Sequence, residues 1–283
     1  MNYQPNQKLF CITGSSGHLG SELIKLFEKR KIKFIEFKIP RPTKADINLK
    51  NFYSEHINEF LFLNKHVDII INCAASLKPN NYKEFYFNSY FPILFQESSF
   101  KLNKHSAFIN ISSTRIFKNS TDKYSLSKKD SEKIMLNKGK VISIYPDIIL
   151  DKTKGAYNDL ENILSSKIPI VPVFNPGNYF YPINCSSLAE KILLISLDKI
   201  ENKKKIIVCG NKKISFYEIV DEINNKNKKK IIVSMPSKYF KLFPSFVKNF
   251  FYKSYYLQKF EDSDFLNHIN KNDYDIIQTD FKL

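Results

Sequence analysis

Tyr124 and Lys128 stand four residues apart in "DKYSLSKKDSEK" (122–133), a separation that brings two side chains to one face of a helix. A free phenol ionises near pH ~10, too high for proton transfer close to neutrality. A lysine ammonium beside it favours the phenolate and lowers that pKa. Such a pair could carry a proton to or from a carbonyl oxygen, given a hydride donor and a group that polarises the carbonyl. In a chain with 16 Tyr and 44 Lys+Arg the spacing also arises by chance. Its weight therefore rests on a nucleotide-binding loop and a hydroxyl donor upstream, in that order.

The loop is present. "ITGSSGHLGSEL" places Gly14, Gly17 and Gly20 at G-x-x-G-x-x-G spacing between an apolar strand and an amphipathic helix, and only 7 glycines occur in the whole chain. A phosphate can rest against the positive end of a helix only where the backbone approaches closely, and side chains at these positions would prevent it. Gly14, Ser16, Gly17, His18, Leu19 and Gly20 are the expected dinucleotide cradle.

The elements that must position these groups alternate. Apolar runs at 8–13, 33–37, 67–72, 107–113 and 140–146 read as strands. Helical periodicity separates them at 18–31, in "FNSYFPILFQESSFKL" (87–102, kinked or begun near Pro92) and in "SLSKKDSEKIML" (125–136). Strands alternating with helices predict an α/β fold of Rossmann type, a doubly wound parallel sheet of six or seven strands covered on both faces. The first strand should lie inside the sheet, beside the topological switch point. After residue 150 proline and glycine cluster in "IPIVPVFNPGNYFYP". A strand (204–210), a helix (215–225), a strand (229–235) and an aromatic-rich helix near 237–256 are expected beyond it. Residues 1–150 are thus read as the dinucleotide-binding domain and 151–283 as a smaller substrate-binding lobe, from which the chain could cross back into the sheet.

"TGSSGHLG" resembles the loop of the extended and atypical short-chain dehydrogenase/reductases, a superfamily of nucleotide-sugar epimerases, dehydratases and ketoreductases. Further matches follow in that family's order over roughly residues 8–240. "NCAA" (72–75) resembles its cofactor-lining N-x-A-A strand end, so Cys73, Ala74 and Ala75 are cofactor-side candidates. Asn88 matches the asparagine of its next helix, which implies a water-mediated support for Lys128. "ISSTRIF" (111–117) resembles the strand end bearing the catalytic serine or threonine. Counting back four from Phe117 gives Ser113, with Thr114 second, while alternation points Ser112 to the other face. "YSLSK" matches the Tyr/Lys pair. The resemblance implies that Tyr124 is the acid/base and that Lys128 also holds the nicotinamide ribose. "YPINCSSLAEKI" (181–192) is similar to the segment entering a substrate-domain helix, and the pocket is expected from about 147–182.

Two departures stand out. Ser113 and Tyr124 are 11 positions apart (124 − 113), a shorter loop than the family usually carries, and Tyr145 stands where the family shows the arginine of an R-P pair. Both give support to an alternative reading, a non-catalytic dinucleotide-binding scaffold or sensor. The positions of the dehydratases' Asp-Glu pair hold Thr114 and Arg115, so 4,6-dehydration is not expected. Ketoreduction and epimerisation of a nucleotide-sugar remain.

About 20 residues beyond the glycine loop, an NAD-preferring chain usually places an acid. Here Lys38 and Arg41 occupy that region, which suits a 2′-phosphate and favours NADP(H) over NAD(H). That preference in turn favours a reductase over an epimerase. "KADINLKNF" (44–52) resembles the D-I-x-D stretch of dTDP-4-dehydrorhamnose reductases and makes Asp46 and Ile47 adenine-side candidates. Alternatively, Asp46 or Asn48 caps a helix "LKNFYSEHINEF".

The net charge of +16 is almost entirely lysine, with arginine only at 30, 41 and 115. No aromatic-interleaved basic motif accompanies it, so an anionic small substrate explains the charge better than nucleic acid. The apolar runs are too short to span a bilayer, and the N-terminus lacks the apolar core of a signal peptide. Four scattered cysteines form no C-x-x-C pair, consistent with a reducing cytoplasm, and no metal is expected. A homodimer is left open.

Overall fold

The computed structural model describes residues 8–40, 42, 48–77, 79, 81–117, 122–135, 141–152, 154–167, 169–174, 178–198, 204–226, 230–236, 239, 242, 244 and 264–281. In chain order its first half runs β1 (Phe10–Thr13), α1 (His18–Lys29), β2 (Phe34–Phe37), α2 (Leu49–Leu63), β3 (Ile69–Asn72), α3 (Tyr82–Ser89), α4 (Phe91–Leu102), β4 (Ala107–Ile111), α5 (Lys123–Met135) and β5 (Val141–Pro146). The second half adds β6 (Leu150–Asp151), β7 (Lys154–Gly155), α6 (Ala156–Leu164), β8 (Ile170–Phe174), β9 (Tyr179–Phe180), α7 (Cys185–Leu197), β10 (Lys204–Gly210), β11 (Ile214–Ser215), α8 (Phe216–Lys226), β12 (Ile231–Met235) and β13 (Asp275–Thr279).

Among the described residues, seven strands form one sheet in the order β13-β10-β5-β4-β3-β1-β2, every pair parallel. Strand β1 is internal. The chain leaves it toward β2 on one side and returns to β3 on the other, so the crevice of the switch point opens between the β1 and β3 loops. Strands β1, β3, β4 and β5 are buried along their whole length, as continuous apolar runs in a doubly covered sheet must be.

Alternation sorts the strand side chains onto two cores. Phe10, Ile12, Ile71, Ile109 and Ile144 face α1 and α7, packing on Leu23, Phe27, Leu188 and Ile192. Cys11, Ile70, Phe108 and Val141 face α2 and α4, packing on Tyr53, Ile57, Phe91 and Phe95. A third cluster of buried residues is built mainly from α6, α8 and β8.

Three details refine the sequence expectation. "FNSYFPILFQESSFKL" lies across two helices, because Pro92 has no N–H to give and fits only in a first turn; α3 ends at Ser89 and α4 begins at Phe91. The strand expected at 229–235 exists as β12, but it pairs with β8 outside the main sheet. The place beside β10 belongs instead to β13, which the sequence pattern did not single out. The helix expected near 237–256 falls mostly outside the described residues. Asn48 caps α2, its side chain accepting the Asn51 N–H at 3.1 Å.

Candidate active site

The glycine loop is folded against its neighbours by contacts that no side chain could share. Gly14 has φ +68°, and a Cβ there would meet the Ala74 backbone N at 2.7 Å. A Cβ on Gly20 would lie 2.2 Å from the Gly14 carbonyl oxygen. The Gly17 N–H closes the turn onto Gly14 O at 2.9 Å. Helix α1 starts with no side-chain cap and no acid in its first turn. Its N–H groups and positive dipole end are therefore available to a phosphate, and the loop fits a dinucleotide.

His18 opens α1, and its Nε2 lies 2.8 Å from Asp151 Oδ2. The same carboxylate accepts the Cys185 N–H at the start of α7. Burial alone would raise the Asp151 pKa, but the hydrogen bonds from His18 and the Cys185 amide outweigh it and hold the carboxyl low. His18, Asp151 and the Cys185 thiol lie within 4.8 Å of one another. The carboxylate is already engaged, and burial and Asp151 push the thiol pKa upward, so the trio acts as a hydrogen-bonded contact and helix cap tying the glycine loop to the second half of the chain.

Across the ends of the central strands runs a buried polar row. Thr13, Asn72 and Asn110 share one register on β1, β3 and β4. Thr13 Oγ1 donates to Asn72 Oδ1 at 2.6 Å, and Asn72 Nδ2 to Asn110 Oδ1 at 2.9 Å. These bonds fix the strand ends from which the Cys73–Ala75 and Ser113 loops leave. Asn88 is buried on α3 and makes direct bonds. Its amide clamps the β3 loop, accepting from Ser76 N at 2.7 Å and donating to Ser76 O at 2.8 Å, and it reaches Ser127 Oγ on α5 at 3.3 Å.

Tyr124 lies in the first turn of α5 and is buried. One turn on, Lys128 is 2% exposed, and its Nζ donates to Ile111 O at 2.8 Å. That bond docks α5 onto β4 two residues before Ser113. Burial lowers the Lys128 pKa to about 8, while Glu132 and Cys73 push it back up. Cys73 itself is raised by burial to about 12. Ser113 caps a 3-10 turn, its Oγ accepting the Arg115 N–H at 3.3 Å, which leaves its own O–H to donate. Thr114 instead gives its hydroxyl proton to Asp147 Oδ1 at 2.8 Å and is fully buried. Ser113 is thus the better placed of the two hydroxyls.

Several neighbours were not foreseen. Glu132, a further turn along α5, accepts from the Tyr145 phenol at 2.7 Å. Burial raises its pKa against the opposing pull of Tyr145, Ser112, Ser143 and Lys128. Arg115 lies with Cζ 5.0 Å from the Tyr124 ring centroid, and its Nη2 is 3.2 Å from Asp122 Oδ1. Asp122 in turn accepts from Ser125 N and Ser125 Oγ at the start of α5. Lys38 is exposed just past β2. Arg41, Asp46 and Ile47 lie outside the described residues. No helix among the described residues is long and apolar enough to cross a membrane.

Among solved structures, a dTDP-4-dehydrorhamnose reductase from Clostridium acetobutylicum matches with TM-score 0.69 and 16% identity, over 83% of this chain and 85% of that one. The dTDP-4-dehydrorhamnose reductase of Bacillus anthracis, in complex with NADP, matches with TM-score 0.65 and 15% identity over 83% and 86%. The UDP-glucose 4-epimerase of Thermotoga maritima matches with TM-score 0.63 and 12% identity over 81% and 85%. The chain has the fold of the nucleotide-sugar reductases and epimerases. That is the Rossmann-type architecture expected from the glycine loop and the alternating strands. No family model and no curated protein matches the sequence.

Proposed function

We propose that this chain is a nicotinamide-dinucleotide-dependent oxidoreductase acting on a keto group of a nucleotide-sugar, as a reductase in preference to an epimerase. The observation that carries the reading is the Lys128 Nζ bond to Ile111 O, which brings the Tyr124 helix against the strand end bearing Ser113. When bound, the cofactor supplies a hydride at the nicotinamide. Gly14, Gly17 and Gly20 would admit its pyrophosphate to the start of α1, with Cys73–Ala75 beside it. Ser113 donates a hydrogen bond to the carbonyl oxygen and polarises it. Tyr124 delivers the proton to that oxygen as charge develops, and Lys128 stabilises the resulting phenolate. Asn88 supports the geometry by holding the β3 loop to α5.

Turnover of a panel of 4-keto nucleotide-sugars with NADPH and NADH, together with fluorescence of bound cofactor, tests the reading. Cofactor binding with no turnover on any panel member would favour the scaffold reading, which Tyr145 and the short Ser113–Tyr124 loop support. Gly20→Ala should weaken NADPH binding by more than about tenfold, because its Cβ would displace the Gly14 carbonyl that shapes the cradle. Unchanged affinity would remove the phosphate from this loop. Neutralising Lys38 and Arg41 together should weaken NADPH more than NADH. Equal losses would show that neither residue meets a 2′-phosphate.

A further inference from the structure

The short loop between Ser113 and Tyr124 is closed on itself by an ion pair. Arg115 lies near its start and Asp122 near its end, with Nη2 3.2 Å from Oδ1. Asp122 is one of the most enclosed carboxylates of the site. Its oxygens accept from the Ser125 amide at 3.1 Å and the Ser125 hydroxyl at 2.6 Å, so one side chain both caps α5 and aims Arg115. So aimed, the guanidinium lies over the Tyr124 ring with Cζ 5.0 Å from the centroid.

From this juxtaposition we propose that Arg115 is a second cation for the Tyr124 phenol, a positioning residue that acts together with Lys128 to favour the phenolate. The inference rests on the proposed role of Tyr124 as proton carrier. A cation over an aromatic face is attracted by the ring's negative face, and the attraction grows when the ring itself becomes an anion. The opposing charge of Asp122 is drawn off by Ser125 and by the guanidinium it pairs with. The other groups around α5 leave this balance intact. Lys128 on the same helix adds positive charge, Glu132 beyond it is held by Tyr145 of β5, and Cys73 at the end of β3 is held as a thiol by burial. The adjoining helices α3 and α4 present the neutral amides of Asn88 and Gln96.

The test follows Tyr124 directly, without substrate. Protein carrying ¹³Cζ-labelled tyrosine is titrated by NMR, and Tyr124→Phe assigns the resonance. Arg115→Met should lower the Tyr124 ionisation constant by about tenfold, with Arg115→Lys lying between it and the wild type. Lys128→Met serves as the second arm. A Tyr124 midpoint that moves with Lys128→Met but not with Arg115→Met or Arg115→Lys overturns the proposal and leaves the proposed function standing. A midpoint insensitive to both Lys128 and Arg115 overturns the proposed function as well. If Arg115→Met fails to fold, Arg115→Gln removes the same charge with a shorter polar side chain, and Arg115→Lys is the control that keeps the charge.

Discussion

Tyr124→Phe is expected to cut turnover of a 4-keto nucleotide-sugar by roughly 10²–10⁴-fold, the usual contribution of a positioned general acid. NADPH affinity should stay near the wild-type value. The substitution removes one oxygen and keeps the ring, so the buried first turn of α5 and the packing of Arg115 on the ring face are retained. Lys128 keeps its bond to Ile111 O, because the hydroxyl takes no part in it. Steady-state kinetics paired with a cofactor titration decide the outcome. Loss confined to KM, or turnover within a few fold of wild type, would take the proton-carrying role away from Tyr124.

Lys128→Met should cost both cofactor affinity and turnover, each by more than about tenfold, if Lys128 has its proposed roles of favouring the phenolate and holding the ribose. Its effect on the fold should run the other way. Burial depresses the Lys128 pKa from 10.5 to about 8, so between those values the unfolded chain binds the extra proton and stability rises with pH. Below about pH 8 the lysine is charged in both states, and the penalty of burying it, roughly 3 kcal/mol, is fully present. Methionine fills the same space without that penalty. Glu132, whose pKa is already raised, can take up a proton while keeping its Tyr145 partner. Urea midpoints should therefore be no lower in the variant at pH 7, and the rise between about pH 8 and 10.5 should flatten. A large loss of stability with an unchanged pH slope would mean that Lys128 is held for its structural bond rather than its charge.

Much of this site was legible in the sequence, for identifiable reasons. Gly14 and Gly20 mark contacts that only glycine tolerates, so their spacing reports the turn directly. Asn48 announced the start of α2 because a cap acts within four residues. The Tyr124–Lys128 face follows from helical period alone. What stayed hidden depends on residues that meet through the fold. Nothing near Asp151 in the chain indicates that it will receive His18, 133 positions earlier (151 − 18). The direct bonds of Asn88 to Ser76 and Ser127 likewise arise only where the β3 loop and α5 meet α3. Glu132 looked like one more charge on a lysine-rich helix, and its burial appears only once β5 supplies Tyr145. Strand β13 escaped notice since "DIIQT" is short and only two of its five residues are apolar.

The placement of β13 has a consequence for the order in which the molecule can be completed. The glycine loop, the N-x-A-A turn and the Tyr124 helix have all been synthesised once residue 146 is joined. The floor beneath Ser113 has not. Phe117 and Tyr145 pack on Tyr274, and Phe117 and Tyr181 on Phe265, all supplied by the chain around β13. A nascent chain emerging from the ribosome would therefore present its glycine-loop half well before the edge that carries Ser113 is supported. If the proposed function holds, cofactor capture would precede competence for turnover, and the chain around β13 would set the moment at which the Ser113 edge becomes firm.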